Sequence, residues 1–380
     1  MSRPSHTSIE SPVEAPRIDL RSRVRCDADF LVLLSGAHIL SSAVFSAVEL
    51  GVFERLESGA RLDELAADLG ASERGLERLL VLLRSLGLVL REPGGKYRNE
   101  AIASEMLTRD GNASLRSLML HQQRHVFPLF QHLSAAVRSG EPQISRWSFA
   151  EDAAEKTDCY TALLGAPAER RLFLDAMNTT GAGVGHAIAR TVDFSSIRTI
   201  VDLGGGGGRV AIELAQALPL LQITIVDRPE VCGYATEFVE THGLRARVRT
   251  VAADFLRPLP ADLGRFDAVL LGGVLADWDV PQRRAILENA WQRLNPGGLI
   301  LVSETLLDDE KNGPLLPAML SLMMLVAMRG QNFSAPEVAA MLEDAGFEDV
   351  AVTDNRERGV RDLVVARKPL VHSNGNTNPG

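Results

Sequence analysis

The segment 198-RTIVDLGGGGGRVAIELAQALPLLQITIVDRPEV-231 places five consecutive glycines between two apolar runs. An apolar run that leads through a glycine-rich turn into an amphipathic stretch is typical of a buried strand followed by a helix. Because glycine has no side chain, a ligand can approach the free N–H groups at the start of that helix. The segment therefore predicts an α/β sheet that binds a nucleotide-like ligand at this turn.

The spacing of these residues narrows the ligand. A dinucleotide fingerprint needs its third glycine at position 209, which is Arg209. The glycines instead fit a G-x-G-x-G pattern at Gly204, Gly206 and Gly208. Asp202 precedes them, and a carboxylate there favours a cation over a pyrophosphate. Asp227 ends the next strand, where an acid accepts hydrogen bonds from ribose hydroxyls.

A third strand ends in 252-AADF-255, which places Asp254 and Phe255 where an adenine would lie. A ligand with adenosine at one end and a positive charge at the other is S-adenosylmethionine (SAM). From residue 198 onward, apolar runs alternate with amphipathic helices, which predicts a mostly parallel sheet covered on both faces. The run 363–368 is expected to close the sheet as a final, edge-proximal strand.

The region upstream, residues 26–110, has helical periodicity and one hairpin. Ser72 is a predicted N-cap, Gly87 a predicted stop, and 88–92 with 97–99 reads as strand, turn and strand. Two short helices followed by a hairpin indicate a winged helix, which either binds DNA or packs as a dimer module. Acidic and basic residues alternate over 73–78 instead of forming a basic stripe, so we favour the dimer module.

Bulk composition limits the partners further. The chain has 380 residues, 46 % of them hydrophobic, and a formal net charge of −9. An acidic surface repels phosphate backbones and anionic lipid, so neither nucleic acid nor membrane is an expected partner. The three cysteines form no C-x-x-C pair, and no metal site is expected. No signal-peptide h-region is visible, and the apolar stretch 30–50 is interpreted as a buried helix, so a cytoplasmic location is expected.

The glycine-rich segment, 252-AADFLRPLP-260 and 295-NPGGLILVSETLLDD-309 resemble the small-molecule O-methyltransferases, the family of plant caffeate-type and bacterial polyketide-tailoring enzymes. The resemblance runs from about residue 28 to 368. It implies an α/β chain with a Rossmann-like class I methyltransferase domain and an N-terminal winged-helix dimerisation domain, all-helical apart from its hairpin. It also implies SAM as cofactor, a small-molecule substrate and a homodimer. The implied cofactor contacts add Arg228 and Gly272 to the residues named above.

This division predicts a disordered arm over 1–25, the dimerisation domain over 26–110, and a helical linker with the substrate region over 111–190. The SAM-binding domain then spans 191–368, and a disordered tail follows over 369–380. The apolar helix around 30–50 is longer than a small winged helix needs for its own core. Such a surplus of apolar surface predicts the dimer interface.

The resemblance breaks at the family's general base. That base is a histidine in the motif H-D-W, and the matching text here is 276-ADW-278, so Ala276 stands in its place beside Asp277. Of the two glutamates that flank the histidine, one matches Glu304 and the other falls on Asn332. Alanine cannot take a proton, so this position provides no base. We therefore predict altered chemistry at this site.

Another base is available in the sequence. His121, His125 and His132 share one face of the predicted helix 115–133, although Pro128 weakens the pattern. His121 and His125 are candidates for pocket lining or proton transfer. Their i, i+4 spacing also suits metal ligands, but no third ligand is evident, and ordinary packing stays open.

The acceptor pocket is expected to be apolar. By resemblance Phe173 and Met177 contact the substrate. Methionines recur at helical spacing over 317–330, at Met319, Met323, Met324 and Met328. Core packing and contact with a flat ring are both consistent with this stripe, since flexible thioethers suit such rings. Trp147 is a further candidate.

Three functions follow. The first is a SAM-dependent methyltransferase, transferring to oxygen or carbon without the family's histidine base, that acts on a small aromatic, enolic or polyketide-like metabolite in specialised metabolism. The second is a SAM-binding relative whose reaction is hydroxylation, dehydration or a pericyclic step. The third is a ligand-sensing regulator that uses the winged helix, against which the mixed charge of 73–78 argues.

Overall fold

A computed structural model describes residues 19–20, 22, 26–111, 113–147, 159–355 and 360–370. The predicted tail lies outside these residues, apart from 369 and 370, and so does most of the predicted arm. Two described residues of the arm are anchored. The carbonyl groups of Leu20 and Ser22 accept hydrogen bonds from the N–H groups of Leu316 and Leu315.

The N-terminal region is a small helical domain with a hairpin, as predicted. Its elements are α1 Ala28–Leu50, α2 Val52–Leu56, α3 Leu62–Leu69, α4 Glu73–Ser85, β1 Val89–Arg91, β2 Tyr97–Asn99 and α5 Ala101–Leu107. Ser72 is the N-cap of α4, because its hydroxyl accepts from Gly75 N at 3.2 Å. Strands β1 and β2 pair antiparallel, which confirms the wing. Phe53, Leu80 and Leu83 are fully buried in this domain's own core.

The interpretation of the first apolar stretch as a buried helix was wrong within the single chain. Only Ala47 and Val48 are buried in α1, whereas Leu31, Val32 and Ile39 are exposed. By length and composition alone, α1 is also the one helix in the described part of the chain that could cross a membrane. An apolar face this long normally requires a covering surface.

The middle region is helical but is more broken than the sequence predicted. Its helices are α6 Arg116–His121, α7 Phe127–Phe130, α8 Leu133–Ser139, α9 Cys159–Gly165, α10 Pro167–Thr180 and α11 Val184–Thr191, with a 3-10 turn at Ile144–Arg146. The single helix expected over 115–133 is interrupted by a π-helical turn at Gln122–Val126. Pro128 follows in the first turn of α7, where its missing N–H costs nothing.

The C-terminal region alternates strands and helices. Its strands are β3 Thr199–Leu203, β4 Gln222–Asp227, β5 Val248–Ala252, β6 Phe266–Gly272, β7 Leu294–Glu304, β8 Glu348–Thr353 and β9 Asp362–Arg367. Its helices are α12 Arg209–Ala217, α13 Pro229–Thr241, α14 Val280–Arg293, α15 Leu315–Ala327 and α16 Ala335–Asp344, with 3-10 turns at Ala261–Leu263 and Leu275–Asp277.

The seven strands form one sheet in the order β5-β4-β3-β6-β7-β9-β8. Neighbouring strands from β5 to β7 are parallel, and β9 runs antiparallel to both β7 and β8. The mostly parallel sheet is thus confirmed, and β9 lies one strand from the edge. Edge strand β8 was not predicted, since most of its residues are exposed and its sequence contains no long apolar run. Separate apolar clusters cover the two faces.

Candidate active site

One large cavity of about 700 Å3 lies at the carboxyl ends of the parallel strands. Its wall combines the loops that follow β3, β4, β6 and β7 with residues of α6, α9, α10 and α15. This is the edge at which open α/β sheets bind ligands. Most of the predicted site residues line it: His121, His125, Trp147, Phe173, Met177, Gly204, Gly206, Asp227, Arg228, Phe255, Gly272, Asp277, Glu304, Met323, Met324, Met328 and Asn332.

The glycine turn after β3 presents bare backbone to this cavity. Gly204 and Gly206 have φ values of +74° and +55°, in the left-handed region that favours glycine. A Cβ at Gly204 would stand 3.2 Å from the Phe255 ring, while one at Gly206 would meet nothing within 4 Å. The turn is therefore tightly packed on one side and open to a ligand on the other. Gly208 ends it as the N-cap of α12 and does not line the cavity.

Asp227 ends β4 beside this turn. Its carboxylate accepts from Gly206 N at 2.9 Å and from Arg228 N at 2.8 Å, which fixes its direction. Burial raises the pKa of Asp227 to about 6, although these two N–H groups oppose the shift. A buried, oriented carboxylate on the strand next to a glycine turn fits the ribose of a nucleoside.

Two other predicted cofactor contacts need correction. Asp202 is 1 % exposed and lies behind Gly205, whose Cβ would stand 2.6 Å from Asp202 Oδ2. It therefore supports the turn from within and does not line the cavity. Asp254 is exposed and accepts from Leu256 N at 2.9 Å in its own loop, away from the cavity wall. Its neighbour Phe255 is buried and takes the place expected for an adenine contact.

The position of the expected base carries a buried alanine on the cavity wall. Ala276 lies in the 3-10 turn after β6 and is buried. The Glu304 carboxylate is bonded to the backbone of this turn. Its Oε1 accepts from the N–H groups of Val274, Leu275 and Ala276 at 3.0, 2.8 and 3.4 Å. Glu304 thus caps the turn, and burial raises its pKa.

Asn332 stands where the second flanking glutamate was expected. Asn332 is buried and donates from Nδ2 to the Thr305 carbonyl oxygen at 2.9 Å. Its Oδ1 is buried without a hydrogen-bond partner among the described residues. An amide that is half satisfied next to a cavity is a place where a ligand donor would be accommodated.

The sequence did not indicate the partner of Asp277. The Tyr160 hydroxyl from α9 donates to Asp277 Oδ2. Burial raises the pKa of Asp277 to about 7, and the nearby Glu304 adds to the shift. The Tyr160 ring lies 5.6 Å from Trp278 and 5.9 Å from Phe173, so it joins the two sides of the cavity.

Arg361 was also missed. It lines the cavity just before β9, and a Cβ on Gly273 would stand 2.5 Å from its Nη1. Its positive charge lowers the pKa values of Asp202, Asp277 and Glu304, against the burial that raises them. No local pattern marks this residue, because its partners come from three other strands or loops. Arg361 therefore places a positive charge among several buried carboxyl groups of the site.

The two candidate histidines meet each other. His121 Nδ1 and His125 Nδ1 are 2.7 Å apart, and His125 Nε2 lies 2.8 Å from Glu169 Oε2 on α10. The Trp147 indole N–H donates to the His125 carbonyl oxygen at 2.6 Å. Burial lowers the pKa of His121 to about 3 and also lowers that of His125. The third histidine, His132, does not line the cavity.

The rest of the wall is apolar. Phe173 lies 5.6 Å from the His121 ring. Met323 and Met324 on α15 and Met328 directly after it line the cavity, but Met319 on α15 is 53 % exposed and lies outside the cavity wall. Within the described ranges, no group of three His, Cys, Asp or Glu side chains is arranged to hold a metal ion. The arrangement as a whole suits an adenosine-bearing ligand beside a flat apolar one.

Known proteins share this organisation. The O-methyltransferase domain family matches residues 130–348, and the O-methyltransferase dimerisation domain matches residues 32–109. The chain is 34 % identical over 330 residues to the 3-hydroxy-5-methyl-1-naphthoate 3-O-methyltransferase of Streptomyces sahachiroi, covering 85 % of this chain and 90 % of the relative. It is 33 % identical over 352 residues to the tetracenomycin polyketide synthesis 8-O-methyl transferase of Streptomyces glaucescens, covering 92 % and 98 %.

A solved structure extends the comparison to the cofactor. Human N-acetylserotonin methyltransferase, determined in complex with SAM, superimposes with a TM-score of 0.82 at 31 % identity. The match covers 90 % of this chain and 99 % of the human chain.

Proposed function

The chain belongs to the O-methyltransferase family and is a SAM-dependent methyltransferase of class I fold, and from this premise we propose that it methylates a hydroxyl group on a flat aromatic, enolic or polyketide-like metabolite of specialised metabolism. The observation that carries this proposal is that one cavity joins the glycine turn and Asp227 to an apolar wall of aromatic and methionine side chains. Two relatives with naphthoate and polyketide names support the acceptor class.

The cofactor side of the proposal assigns roles residue by residue. SAM supplies an electrophilic methyl group when it is bound. Asp227 would accept hydrogen bonds from the ribose hydroxyls, and Phe255 would pack on the adenine. The amino-acid end of the cofactor would lie against the exposed backbone of Gly204 and Gly206. Arg228 and Gly272 complete the wall. The fit rests on the buried, oriented carboxylate and on the open space at Gly206.

On the acceptor side, we propose that the reaction proceeds without a base at Ala276. An acceptor that is already anionic needs only orientation, and a neutral acceptor needs a base elsewhere in the cavity. The alternative is a SAM-binding enzyme that hydroxylates, dehydrates or rearranges such a metabolite. Ala276 and Asn332, which replace residues expected from the resemblance, favour keeping this alternative in the test.

The deciding experiment incubates the purified chain with SAM and a panel of hydroxylated naphthoates, tricyclic and tetracyclic polyketides. We expect stoichiometric S-adenosylhomocysteine and a product heavier by one methylene unit in mass spectrometry. A product that changes by oxygen or water, with SAM recovered intact, would establish the alternative.

We also propose that α1 forms a homodimer interface. The dimerisation family covers residues 32–109, and the apolar face of α1 is uncovered in the single chain. Val32→Asp is expected to give monomers in light scattering at micromolar concentration, because a buried unpaired charge costs several kcal/mol. Leu220→Asp is the matched control, since Leu220 is 72 % exposed and Val32 is 71 % exposed. Dimers that survive Val32→Asp would contradict this interface.

The domain division 26–110, 111–190 and 191–368 is part of the same proposal. So is a cytoplasmic enzyme, with α1 buried against a second copy and not in lipid. Cell fractionation checks this location, and a chain recovered with membranes would overturn it.

A further inference from the structure

Three ionisable side chains are joined in a line from the cavity toward the surface. His121 lines the cavity, its Nδ1 meets His125 Nδ1, and His125 Nε2 meets Glu169. We propose that Glu169, His125 and His121 form a proton relay, in which Nε2 of His121 takes the proton that the acceptor hydroxyl releases on methylation. This inference rests on the proposed function and names the base that Ala276 does not provide.

The hydrogen bonds determine which nitrogen carries each proton. A carboxylate only accepts, so His125 Nε2 carries a hydrogen and donates it to Glu169. His125 Nδ1 is then a lone pair and accepts from His121 Nδ1–H. His121 Nε2 is left without a hydrogen, and it has no hydrogen-bond partner among the described residues. The chain of bonds therefore presents a neutral nitrogen base to a ligand in the cavity.

The surroundings hold this line in place. His125 is the buried residue of the π-helical turn Gln122–Val126. The Trp147 indole N–H donates to its backbone carbonyl oxygen. Phe173 packs against the ring of His121. Among the described residues, Arg124 is the other charged group beside the relay, and its Nη1 lies 3.7 Å from Glu169 Oε1.

The step is balanced. The acceptor oxygen gains the methyl group from the sulfonium of the cofactor, which leaves as S-adenosylhomocysteine. The hydroxyl proton passes to His121 Nε2 while Nδ1–H passes to His125 Nδ1 and Nε2–H of His125 passes to Glu169. Both imidazoles end neutral in the opposite tautomer, and Glu169 ends as a carboxylic acid.

This balance suits the burial of the pair. Burial lowers the pKa of His121 to about 3, so the site resists an imidazolium ion. A relay that ends with two neutral rings never forms one. The Glu169 side chain is 18 % exposed and returns the proton to water.

Other basic groups on the cavity wall are already committed. Glu304 Oε1 accepts from three backbone N–H groups, and Asp277 accepts from the Tyr160 hydroxyl. Asp362 accepts from the N–H groups of Leu306 and Asn355. His121 differs from these carboxylates in kind, because it is a neutral ring whose Nε2 accepts from no described group.

The test uses full-length His121→Ala and Glu169→Gln, with His132→Ala as the control from the same region. We expect kcat to fall by about a hundredfold or more for His121→Ala, as for loss of a general base, with little change in KM. Added imidazole is expected to restore part of the rate. Glu169→Gln keeps the hydrogen-bond geometry but cannot take the proton, so it is expected to lose kcat as well. His132→Ala is expected to match the wild type.

Two readouts do not depend on turnover. Calorimetry is expected to give unchanged SAM affinity in each variant. Imidazole 15N spectra of the wild type at pH 7 are expected to show His121 as the Nδ1–H tautomer. The relay is wrong if His121→Ala retains kcat, if only KM changes, or if the tautomer is Nε2–H. A wild type that makes no S-adenosylhomocysteine with any acceptor would instead count against the proposed function.

Discussion

The cavity has two unlike halves. The proposed cofactor half consists of the glycine turn 204–207, Asp227, Arg228, Phe255 and Gly272, and the proposed acceptor half consists of the wall from α6, α9, α10 and α15. In the first, backbone N–H groups and one carboxylate are fixed by short hydrogen bonds at the ends of parallel strands. In the second, side chains from distant helices meet across an apolar space.

The difference shows how the fold divides its tasks. A cofactor that never changes is bound by backbone geometry, which tolerates little substitution, while an acceptor is bound by side chains that vary freely. Changes in the cofactor half should therefore alter SAM affinity. Changes in the acceptor half should alter turnover or KM and leave SAM affinity unchanged. Each prediction below tests that separation.

The largest effect is expected for Asp227→Ala. Loss of charge-assisted hydrogen bonds to the ribose costs about 1.5–3 kcal/mol, so SAM should bind at least about tenfold more weakly. Asp254→Ala is the matched control, because Asp254 is exposed and only accepts from its own loop. Calorimetry measures both. Equal losses for the two variants would show that the cofactor half extends over Asp254 after all.

The pH dependence of SAM binding should come next in size. Burial raises the pKa of Asp227 to about 6, so its carboxylate is present above that pH and is lost as the pH falls through it. At pH 5 only about one tenth of the group is ionised, and SAM affinity should be about tenfold weaker than at pH 8. Asp227→Asn should bind weakly at both pH values. A wild-type affinity that does not fall toward pH 5 would contradict the assignment.

A smaller effect is expected in the acceptor half for Met323→Ala. Removing the thioether from the cavity wall should raise the acceptor KM about fivefold, which corresponds to ~1 kcal/mol of apolar contact. Met319→Ala on the same helix should change nothing, since Met319 lies outside the cavity wall. Steady-state kinetics with an acceptor that the wild type methylates test both variants. A change in SAM affinity for Met323→Ala would break the separation of the halves.

The two halves also differ in how far the sequence predicts them. Gly204, Gly206 and Asp227 are close along the chain, so one contiguous pattern predicts strand, turn, helix and ligand together. The fold follows for the same reason, because strand–helix alternation is a local signal. The sequence predicted that Asp202 and Asp254 contact the cofactor directly. A pattern places residues along the chain, but it does not show which side chain a neighbouring turn covers.

The acceptor half depends on contacts between distant segments. Tyr160 meets Asp277, and Glu169 meets His125, across separations of 117 and 44 residues. Arg361 reaches the site from the start of the last strand. Single-sequence patterns carry no signal for such pairs. The histidine pair itself was visible, but the π-helical turn that places it was not, since Pro128 suggested only a kink.

The last variant, Ala276→His, is expected to bring no gain in turnover. An imidazole would enter from a buried position on the cavity wall and crowd the acceptor, and overpacking of this kind costs about 1–3 kcal/mol. The adjacent backbone cannot yield easily, because a Cβ on Gly330 would already stand 1.9 Å from the Ala276 carbonyl oxygen. Wild type and variant are compared in turnover of the same acceptor over pH 6–9.

The new imidazole would also lack an orienting partner. Glu304 Oε1 holds the N–H groups of the turn, and Asn332 donates to Thr305, so neither residue is set to fix a tautomer. The double variant Ala276→His/Asn332→Glu supplies the missing carboxylate and is the sharper control. If it gains rate with a new ionisation near neutrality, the chemistry does use a base at position 276. If it does not, position 276 takes no part in proton removal, as the relay through His121 requires and as an already anionic acceptor would also allow.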